Sequence, residues 1–252
     1  MRQKFGQNFL TSNQIAQDIV NALDIKNSDF IIEIGPGKGI LTELISKLAG
    51  TLIAVEIDHT LIEPLKSRFS QNPKVQIIEL NFLDFIIPQN VPIKFISNLP
   101  YCVATPIIAK ILPLPNWESA VFMVQKEVGE RITANSGTSD HGYFSVFCSY
   151  YANTEKLFVV KPSSFSPPPK IDSLVVRLCN KNTSKVEDGF FAFVKAAFSQ
   201  KRKTILNSLS NSLKIEKEIL LPKLISAEIN PTDRPEKLSL NSYQKLFSLL
   251  KK

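Results

Sequence analysis

Paired cysteines and long apolar runs are both missing from this sequence of 252 residues. The three cysteines, Cys102, Cys148 and Cys179, are odd in number and widely spaced, which argues against both a disulfide framework and a zinc site. No apolar stretch approaches the length of a membrane span, and polar residues follow Arg2 and Lys4, so we expect no signal peptide. The composition therefore favours a cytoplasmic protein without a membrane partner.

A surplus of positive charge is also missing from the first 180 residues. They contain 16 Lys/Arg and 16 Asp/Glu, whereas residues 181–252 contain 14 and 7 and so account for the whole net charge of +7. Such asymmetry indicates a polyanion-binding region attached to a neutral domain, although a solvated helical tail has the same composition. With 44% hydrophobic residues, the chain can form one large domain and a small appendage.

Short apolar runs alternate with longer amphipathic stretches in the first two-thirds of the chain. This alternation predicts an α/β fold, with a mostly parallel sheet and helices on both faces. After residue 188, apolar residues recur at helical spacing, which predicts a basic helical domain at 181–252 behind a first domain at 1–180. The predicted strands are 30–34, 52–55, 75–78, 93–97, 120–124, 145–151, 157–160 and 174–178. The predicted helices are 40–49, 59–70, 104–112 and one from about 126.

A glycine-rich turn, 33–39, separates the first predicted strand from the first predicted helix. Gly35 and Gly37 let the backbone pass close to a ligand. Glu56, 21 residues after Gly35, ends the second strand, where its carboxylate can accept hydrogen bonds from ribose hydroxyls. The spacing G-x-G-x-G is more usual for S-adenosylmethionine than for dinucleotides, whose helix start faces a pyrophosphate. The alternative is an ordinary tight turn.

The pattern Asn98-Leu99-Pro100-Tyr101 ends the fourth predicted strand. The exocyclic amine of adenine is a poor nucleophile because its lone pair is delocalised into the ring. Two acceptors aimed at its hydrogens, the Asn98 side-chain oxygen and the Leu99 carbonyl, would localise that lone pair toward a methyl donor. Pro100 restricts the backbone, and Tyr101 can stack on the base. In isolation, however, four such residues could equally be a turn with a buried tyrosine.

Two later segments are candidates for contact with RNA. Phe165 begins a proline-rich loop, 165–173, that could hold its ring as the second face of a base clamp, or could instead be a linker whose ring packs in the core. Lys201, Arg202 and Lys203 are consecutive cations that can contact phosphates without reading sequence, although they could also form a solvated helix face.

Taken together, these segments resemble the family of ribosomal RNA adenine N6,N6-dimethyltransferases. No single motif is decisive, but the order and spacing of the motifs are specific and extend through nearly the whole chain. The matching segments are 4–10, 33–39, 55–58, 98–101, 125–128, 130–131, 165–173, 197–198, 201–204, 234–236 and 238–239.

The resemblance implies a Rossmann-like, S-adenosylmethionine-dependent methyltransferase fold with a small C-terminal helical domain. It also implies dimethylation of two adjacent adenosines near the 3′ end of small-subunit rRNA, within a pre-assembled small subunit; nothing compels a dimer, so we expect a monomer. By the same resemblance the target base meets Asn98, Leu99, Tyr101 and Phe165. The implied cofactor-binding residues are Asn8 and Leu10 at the methionine end, Gly35, Gly37, Glu56 at the ribose, Ile57, Asn81, Phe82 and Asn98.

One position departs from the family pattern. An aspartate that contacts the adenine amine of the cofactor is usual after the third strand, and here that position is Asn81. Its side-chain oxygen can still accept the hydrogen bond, but without charge. Asp84 could substitute, although Asn81 is the better match.

Several other functions remain compatible with parts of the sequence. A nicotinamide-dependent oxidoreductase would explain the glycine turn but not residues 98–101 or the basic tail. A ribosome-assembly factor without catalysis would explain the tail alone. Two family relatives, a macrolide-resistance enzyme acting on large-subunit rRNA and a mitochondrial transcription factor, match less well, because Leu99 and the segment 234–236 favour the small-subunit enzyme.

Overall fold

The computed structural model describes residues 8–100, 102–183, 186–200 and 202–251, which form two compact units. The first unit contains the described residues up to 129 with 152–180, and the second contains 130–151 with the described residues from 181 onward. The strands are β1 (Phe9–Leu10), β2 (Phe30–Ile34), β3 (Thr51–Glu56), β4 (Val75–Glu79), β5 (Ile93–Asn98), β6 (Trp117–Gln125), β7 (Ala152–Val160), β8 (Phe165–Ser166) and β9 (Ser173–Asn180). The α-helices are α1 (Asn13–Ala22), α2 (Ile40–Ile45), α3 (His59–Phe69), α4 (Ala104–Ile111), α5 (Lys126–Ile132), α6 (Tyr143–Tyr151), α7 (Phe190–Ala197), α8 (Ile205–Leu213), α9 (Lys217–Ser226) and α10 (Leu240–Leu250).

The first unit is built on a seven-stranded sheet in the order β4-β3-β2-β5-β6-β9-β7. The five strands from β4 to β6 are parallel, whereas β9 pairs antiparallel with both β6 and β7. The chain runs outward from β2 to β4 and then returns to the other side of β2 with β5. Ligands bind beyond the carboxyl ends of the strands at such a reversal of strand order. Right-handed crossovers place α2 and α3 on the opposite face from α4.

Burial on both faces explains why the central strands are almost continuously apolar. Ile31 and Ile32 in β2 point to opposite faces of the sheet, yet both are fully buried. Burying each such side chain contributes about 1.5–3 kcal/mol. Two helices begin where the sequence provides a capping side chain. The Ser12 side chain accepts the backbone N–H of Ile15 at the start of α1, and the Asp58 side chain accepts the backbone N–H of Thr60 at the start of α3.

The second unit has its own apolar core, formed by α6 and the helices from α7 to α10. Aromatic rings dominate it: Phe190 and Phe193 lie 5.5 and 5.4 Å from Phe247, centroid to centroid. Within the segment 234–236, Pro235 is buried beside this core, and its carbonyl accepts the buried hydroxyl of Tyr243 at 2.8 Å. Arg234 is exposed.

The predicted strand at 145–151 is wrong, because these residues belong to α6. This helix is buried on most of its circumference, so its apolar residues are contiguous and show no helical period. The other predicted strands are confirmed, with ends that move by up to five residues, the largest change being at the start of β7. The predicted boundary after residue 180 coincides with a boundary between the two units, but residues 130–151, predicted within the first domain, cluster with the second unit.

Candidate active site

A cavity of about 380 Å³ lies at the carboxyl ends of β2, β3, β4 and β5, where the strand order reverses. Its lining includes the residue that directly follows each of these strands: Gly35, Ile57, Leu80 and Leu99. Cavities that enclose small molecules have volumes of about 300–1,000 Å³. The sheet topology thus collects the two motifs singled out in the sequence, the glycine turn and residues 98–101, around one cavity.

The glycine turn forms one wall of the cavity. Gly35, Gly37 and Gly39 have φ values of +64°, +59° and +80°, in the left-handed region that other residues rarely adopt. A Cβ atom at Gly37 would lie 3.1 Å from the ring of Phe9, which packs against the turn from β1. The Nζ atom of Lys38 lies 4.9 Å from the centroid of the same ring. The turn is therefore confined between the cavity and the N-terminal strand.

Glu56 is fixed at the end of β3 by three backbone hydrogen bonds. One carboxylate oxygen accepts the N–H of Gly37 at 3.0 Å, and the other accepts the N–H groups of Ile57 and Asp58, each at 2.9 Å. Burial raises the pKa of Glu56, while these N–H donors act in the opposite direction. The three bonds hold the carboxylate at the cavity wall, where the lone pair that remains on Oε2 can accept a hydroxyl group.

Glu33 is a cavity residue that sequence reasoning noted only as part of the glycine motif. Its side chain is 1% exposed and accepts the Thr42 hydroxyl at 2.7 Å. Burial, with the nearby negative charge of Glu56, raises the pKa of Glu33 to about 8, although the Thr42 hydroxyl lowers it. Glu33 is therefore mostly protonated at neutral pH. An acidic residue two positions before Gly35 was visible in the sequence, but its burial was not.

The turn after β4 forms a further part of the cavity wall. Leu80, Asn81 and Phe82 line the cavity, and the N–H of Leu80 donates to the carbonyl of Glu56 at 2.9 Å. The Asn81 side-chain oxygen accepts the N–H of Leu83 at 3.1 Å. It retains a lone pair for a second donor. The exposed Asp84, the alternative candidate for this contact, is not part of the lining.

Asn98 is oriented by the N-terminal segment. Its Nδ2 donates to the carbonyl of Asn8 at 3.2 Å, across 90 residues of sequence. Because a carbonyl only accepts, this contact fixes the rotation of the amide and makes Oδ1 the acceptor of the side chain. The N–H of Leu99 donates to the Met123 carbonyl at 3.0 Å, which secures the same segment to β6.

Of the two remaining residues of this motif, Pro100 belongs to the described part of the chain. The Pro100 carbonyl accepts the N–H of Val103 at 3.1 Å and so begins the turn into α4. Pro100 lines the cavity together with Val103, which the sequence analysis did not single out. Tyr101 lies outside the described residues.

Phe165 is placed in the core of the first unit. It pairs with Leu10 in the two-stranded sheet β1-β8, is 4% exposed and does not line the cavity. Leu10 and Asn8 do line it. The ring of Phe165 is therefore buried in the core next to the N-terminal strand, and a direct contact with a base would require the ring to leave the core.

The whole chain matches a family model. Residues 1–252 match the model described as ribosomal RNA adenine dimethylase. The chain belongs to this family. It is 42% identical to ribosomal RNA small subunit methyltransferase A of Alkaliphilus oremlandii over 99% of the chain and 92% of that protein. The identity to the Clostridium perfringens protein of the same name is 40%, over 99% of the chain and 90% of that protein.

Solved structures have the same fold as this dimethylase family member. A dimethyladenosine transferase from Plasmodium falciparum aligns with a TM-score of 0.86 at 28% identity, covering 96% of the chain and 98% of that structure. The 23S rRNA methyltransferase ErmE aligns with a TM-score of 0.79 at 23% identity, covering 97% and 100%. The predicted Rossmann-like methyltransferase fold with C-terminal helices is confirmed. The family also excludes the nicotinamide-dependent oxidoreductase, because its members are methyltransferases.

The basic segment of the dimethylase lies in the second unit. Arg202 and Lys203 are exposed between α7 and α8, and the hydroxyl of Thr204 accepts the N–H of Asn207 to cap α8 directly after them. Lys201 lies outside the described residues. The two described cations thus extend from a capped helix start into solvent.

Within the described ranges, no group of three or more His, Cys, Asp and Glu side chains could hold a metal ion. Of the helices that the structure describes, none is both long and apolar enough to cross a membrane. Besides Glu33 and Val103, Cys102 and Ile107 also line the cavity, although the sequence offered no reason to select them as site residues. Cys102 precedes α4 and Ile107 lies within it, so they reach the cavity because of where this helix lies and not because they belong to a motif.

Proposed function

We propose that this protein uses S-adenosylmethionine to dimethylate the N6 amine of two adjacent adenosines near the 3′ end of small-subunit rRNA, within a pre-assembled small subunit. The observation that carries the proposal is the orientation of Asn98 at the edge of the cavity, with Nδ2 committed to Asn8 and Oδ1 as its acceptor. The names of the relatives support the small subunit as substrate.

The residues of the cavity fit such a cofactor. Glu56 provides a buried carboxylate whose free lone pair on Oε2 suits a ribose hydroxyl. Because Leu80 is hydrogen-bonded to the backbone of Glu56, a base attached to that ribose would lie against Ile57, Leu80 and Phe82. When bound, S-adenosylmethionine supplies an electrophilic methyl group on a sulfonium, whose thioether is the leaving group.

The chain's own residues would act on the target amine. Oδ1 of Asn98 and the Leu99 carbonyl would accept hydrogen bonds from the N–H groups of this amine. These bonds would localise the nitrogen lone pair toward the methyl donor. No strong general base is required, because the alkylated amine loses its proton readily. Tyr101 would stack on the base, and the fixed geometry of the motif would supply in-line positioning.

We assign RNA binding to the second unit, through Lys201, Arg202 and Lys203. Exposed cations contact phosphates without reading sequence, so they would contribute affinity and orientation. Selection of the two adenosines would then depend on the shape of the assembled subunit and on the cavity. The first unit is accordingly the catalytic domain and the second the RNA-binding domain.

The experiment is methyl transfer from labelled S-adenosylmethionine to small ribosomal subunits that lack their methyl marks, followed by digestion and identification of the labelled nucleoside. Large subunits serve as the control. We expect N6,N6-dimethyladenosine with small subunits only. Label on large-subunit RNA would overturn the substrate, and RNA and cofactor binding without any transfer would indicate an assembly factor instead.

A further inference from the structure

Three N–H groups of the turn at residues 81–85, those of Leu83, Asp84 and Phe85, bond within the turn, whereas three of its carbonyls accept a donor from outside it. Asn81 accepts twice, from the N–H of Leu83 at its side chain (3.1 Å) and from the N–H of Asp84 at its carbonyl (2.9 Å). The N–H of Phe85 donates to the carbonyl of Phe82 at 3.2 Å. The carbonyls of Phe82, Leu83 and Phe85 converge on one point beside the turn, where a single cationic donor is placed.

That donor is Lys110. Its Nζ donates to the carbonyls of Phe82, Leu83 and Phe85 at 3.0, 2.6 and 2.8 Å, which uses all three hydrogens of the ammonium group. Nζ also lies 5.5 Å from the centroid of the Phe82 ring. Burial lowers the pKa of Lys110, and the charge of Asp84 opposes that shift. Hydrogen bonds from a charged donor are stronger than neutral ones, so Lys110 is the main polar link between this turn and the helix beside it.

Lys110 lies on the helix that follows the methyl-transfer motif. α4 begins at Ala104, three residues after the motif 98–101, and both Val103 at its N-cap and Ile107 within it line the cavity. Lys110 is three residues after Ile107 and therefore lies on the same face of the helix. One face of α4 thus extends from the target-base motif, along the cavity, to the turn that carries Asn81.

We propose that Lys110 is a positioning residue, which fixes the turn 81–85 so that Asn81 meets the exocyclic amine of the cofactor's adenine. The inference rests on the proposed function, because it assumes an adenine against Leu80–Phe82. The stacked rings of Phe82 and Phe85, 6.1 Å apart, secure the side chains of the turn. The carbonyls of Leu83 and Phe85, however, accept from Lys110, and without it they would lose this donor and shift toward water.

The test compares two ligands in calorimetric binding: S-adenosylhomocysteine, and its analogue with unsubstituted purine in place of adenine, which lacks the exocyclic amine. Lys110→Met should weaken binding of S-adenosylhomocysteine about tenfold, equivalent to about 1.4 kcal/mol. Binding of the purine analogue, already without the amine contact, should weaken by less than about twofold. Lys110→Arg should recover most of the affinity, because its guanidinium can still donate to several carbonyls.

Lys74→Met is the matched control. Lys74 also bridges segments, donating to the Asn27 side chain at 3.1 Å and to the Ala49 carbonyl at 3.4 Å, but it precedes β4 at the opposite end of the sheet. It should bind both ligands as the wild type does. Lys110→Gln, which keeps two donors, provides the same comparison of ligands should the Met variant fail to fold.

Two results would overturn the inference alone. The first is unchanged binding of S-adenosylhomocysteine by the Lys110 variants. The second is an equal loss of affinity for both ligands, which would mean that Lys110 supports the fold without acting on the amine contact. Failure of the wild type to bind S-adenosylhomocysteine would instead overturn the proposed function, and the inference with it. The wild-type measurement therefore separates the two failures.

Discussion

The cavity of the first unit and the basic segment of the second use charged groups in opposite ways. Glu33 and Glu56 are 1% and 2% exposed, and hydrogen bonds from the protein fix both carboxyl groups. Arg202 and Lys203 are exposed and retain their hydration. In the cavity the fold therefore determines where the two carboxyl groups lie and how readily they bind a proton. In the basic segment the fold determines where the chain carries the cations, but it does not fix their side chains.

This difference has consequences for variants. A buried polar group that loses its partner keeps its full desolvation penalty, so single changes in the cavity should have large effects. Solvated cations interact with phosphates in a screened medium, and their contributions should be small, similar to one another and dependent on salt. The comparison would fail if single substitutions in the cavity had small effects, or if removing one cation of the basic segment abolished RNA binding.

The largest effect is expected from Asn98→Ala. Removing the acceptor for the target amine should lower the turnover number by about 10²–10³, by analogy with removal of one stabilising group from an oxyanion hole. Cofactor affinity should change far less. Single-turnover methyl transfer and calorimetric binding of S-adenosylhomocysteine measure the two quantities.

Asn98→Asp is the control for this variant, because it keeps an acceptor oxygen but loses the donor to the Asn8 carbonyl. It should retain more transfer than Asn98→Ala, and because both variants lose the same donor, any change in cofactor affinity should be similar in the two. Turnover by Asn98→Ala close to that of the wild type would remove Asn98 from the catalytic step.

The next effect concerns stability and pH. Because the pKa of Glu33 rises from 4.5 to about 8 on folding, the folded state binds this proton more tightly than the unfolded state does. The free energy of unfolding should therefore fall as pH rises from about 5 to 8, by up to about 1.4 kcal/mol per pH unit, relative to Glu33→Gln. Above pH 8 the two curves should become parallel.

Urea denaturation at four pH values between 5 and 8 checks this expectation. Glu79→Gln, which removes an exposed carboxylate at the end of β4, is the control and should follow the wild type. Parallel curves for the wild type and Glu33→Gln over the whole range would show that Glu33 is ionised in the folded protein.

The smallest effect per residue is expected in the basic segment. Replacing Lys201, Arg202 and Lys203 by Gln should weaken RNA binding and reduce the slope of log K against log salt by about 2–3. Replacing Lys237 and Lys245, which form ion pairs with Asp233 and Glu228, should change the slope less. An unchanged slope in the triple variant would place the phosphate contact elsewhere.

The centre of the sheet could be predicted from the sequence because β2, β3 and β5 are buried on both faces and separated by glycine-rich or polar turns. Strand ends then fixed the positions of Gly35, Glu56 and Asn98, since the carboxyl ends of parallel strands meet at one edge. Residues 145–151 could not be assigned correctly, because burial around most of a helix removes the period that distinguishes it from a strand.

Contacts between distant segments could not be predicted either. The amide of Asn98 is oriented by Asn8, 90 residues away, and the Lys110 ammonium reaches carbonyls 25 to 28 residues away. The high pKa of Glu33 depends on its complete burial, which no local pattern encodes. The proline-rich loop made Phe165 a candidate for the base clamp, but the sequence could not show that its ring is buried in the core next to β1.

The central claim is that the cavity holds the methyl donor with its reactive end toward Asn98. A crystal structure of the protein with S-adenosylhomocysteine tests it most directly. We predict a ribose hydroxyl on the carboxylate of Glu56, the adenine against Leu80–Phe82, and the sulfur directed at the space beside Asn98. A ligand bound outside this cavity, or one whose sulfur faces away from Asn98, would contradict the account.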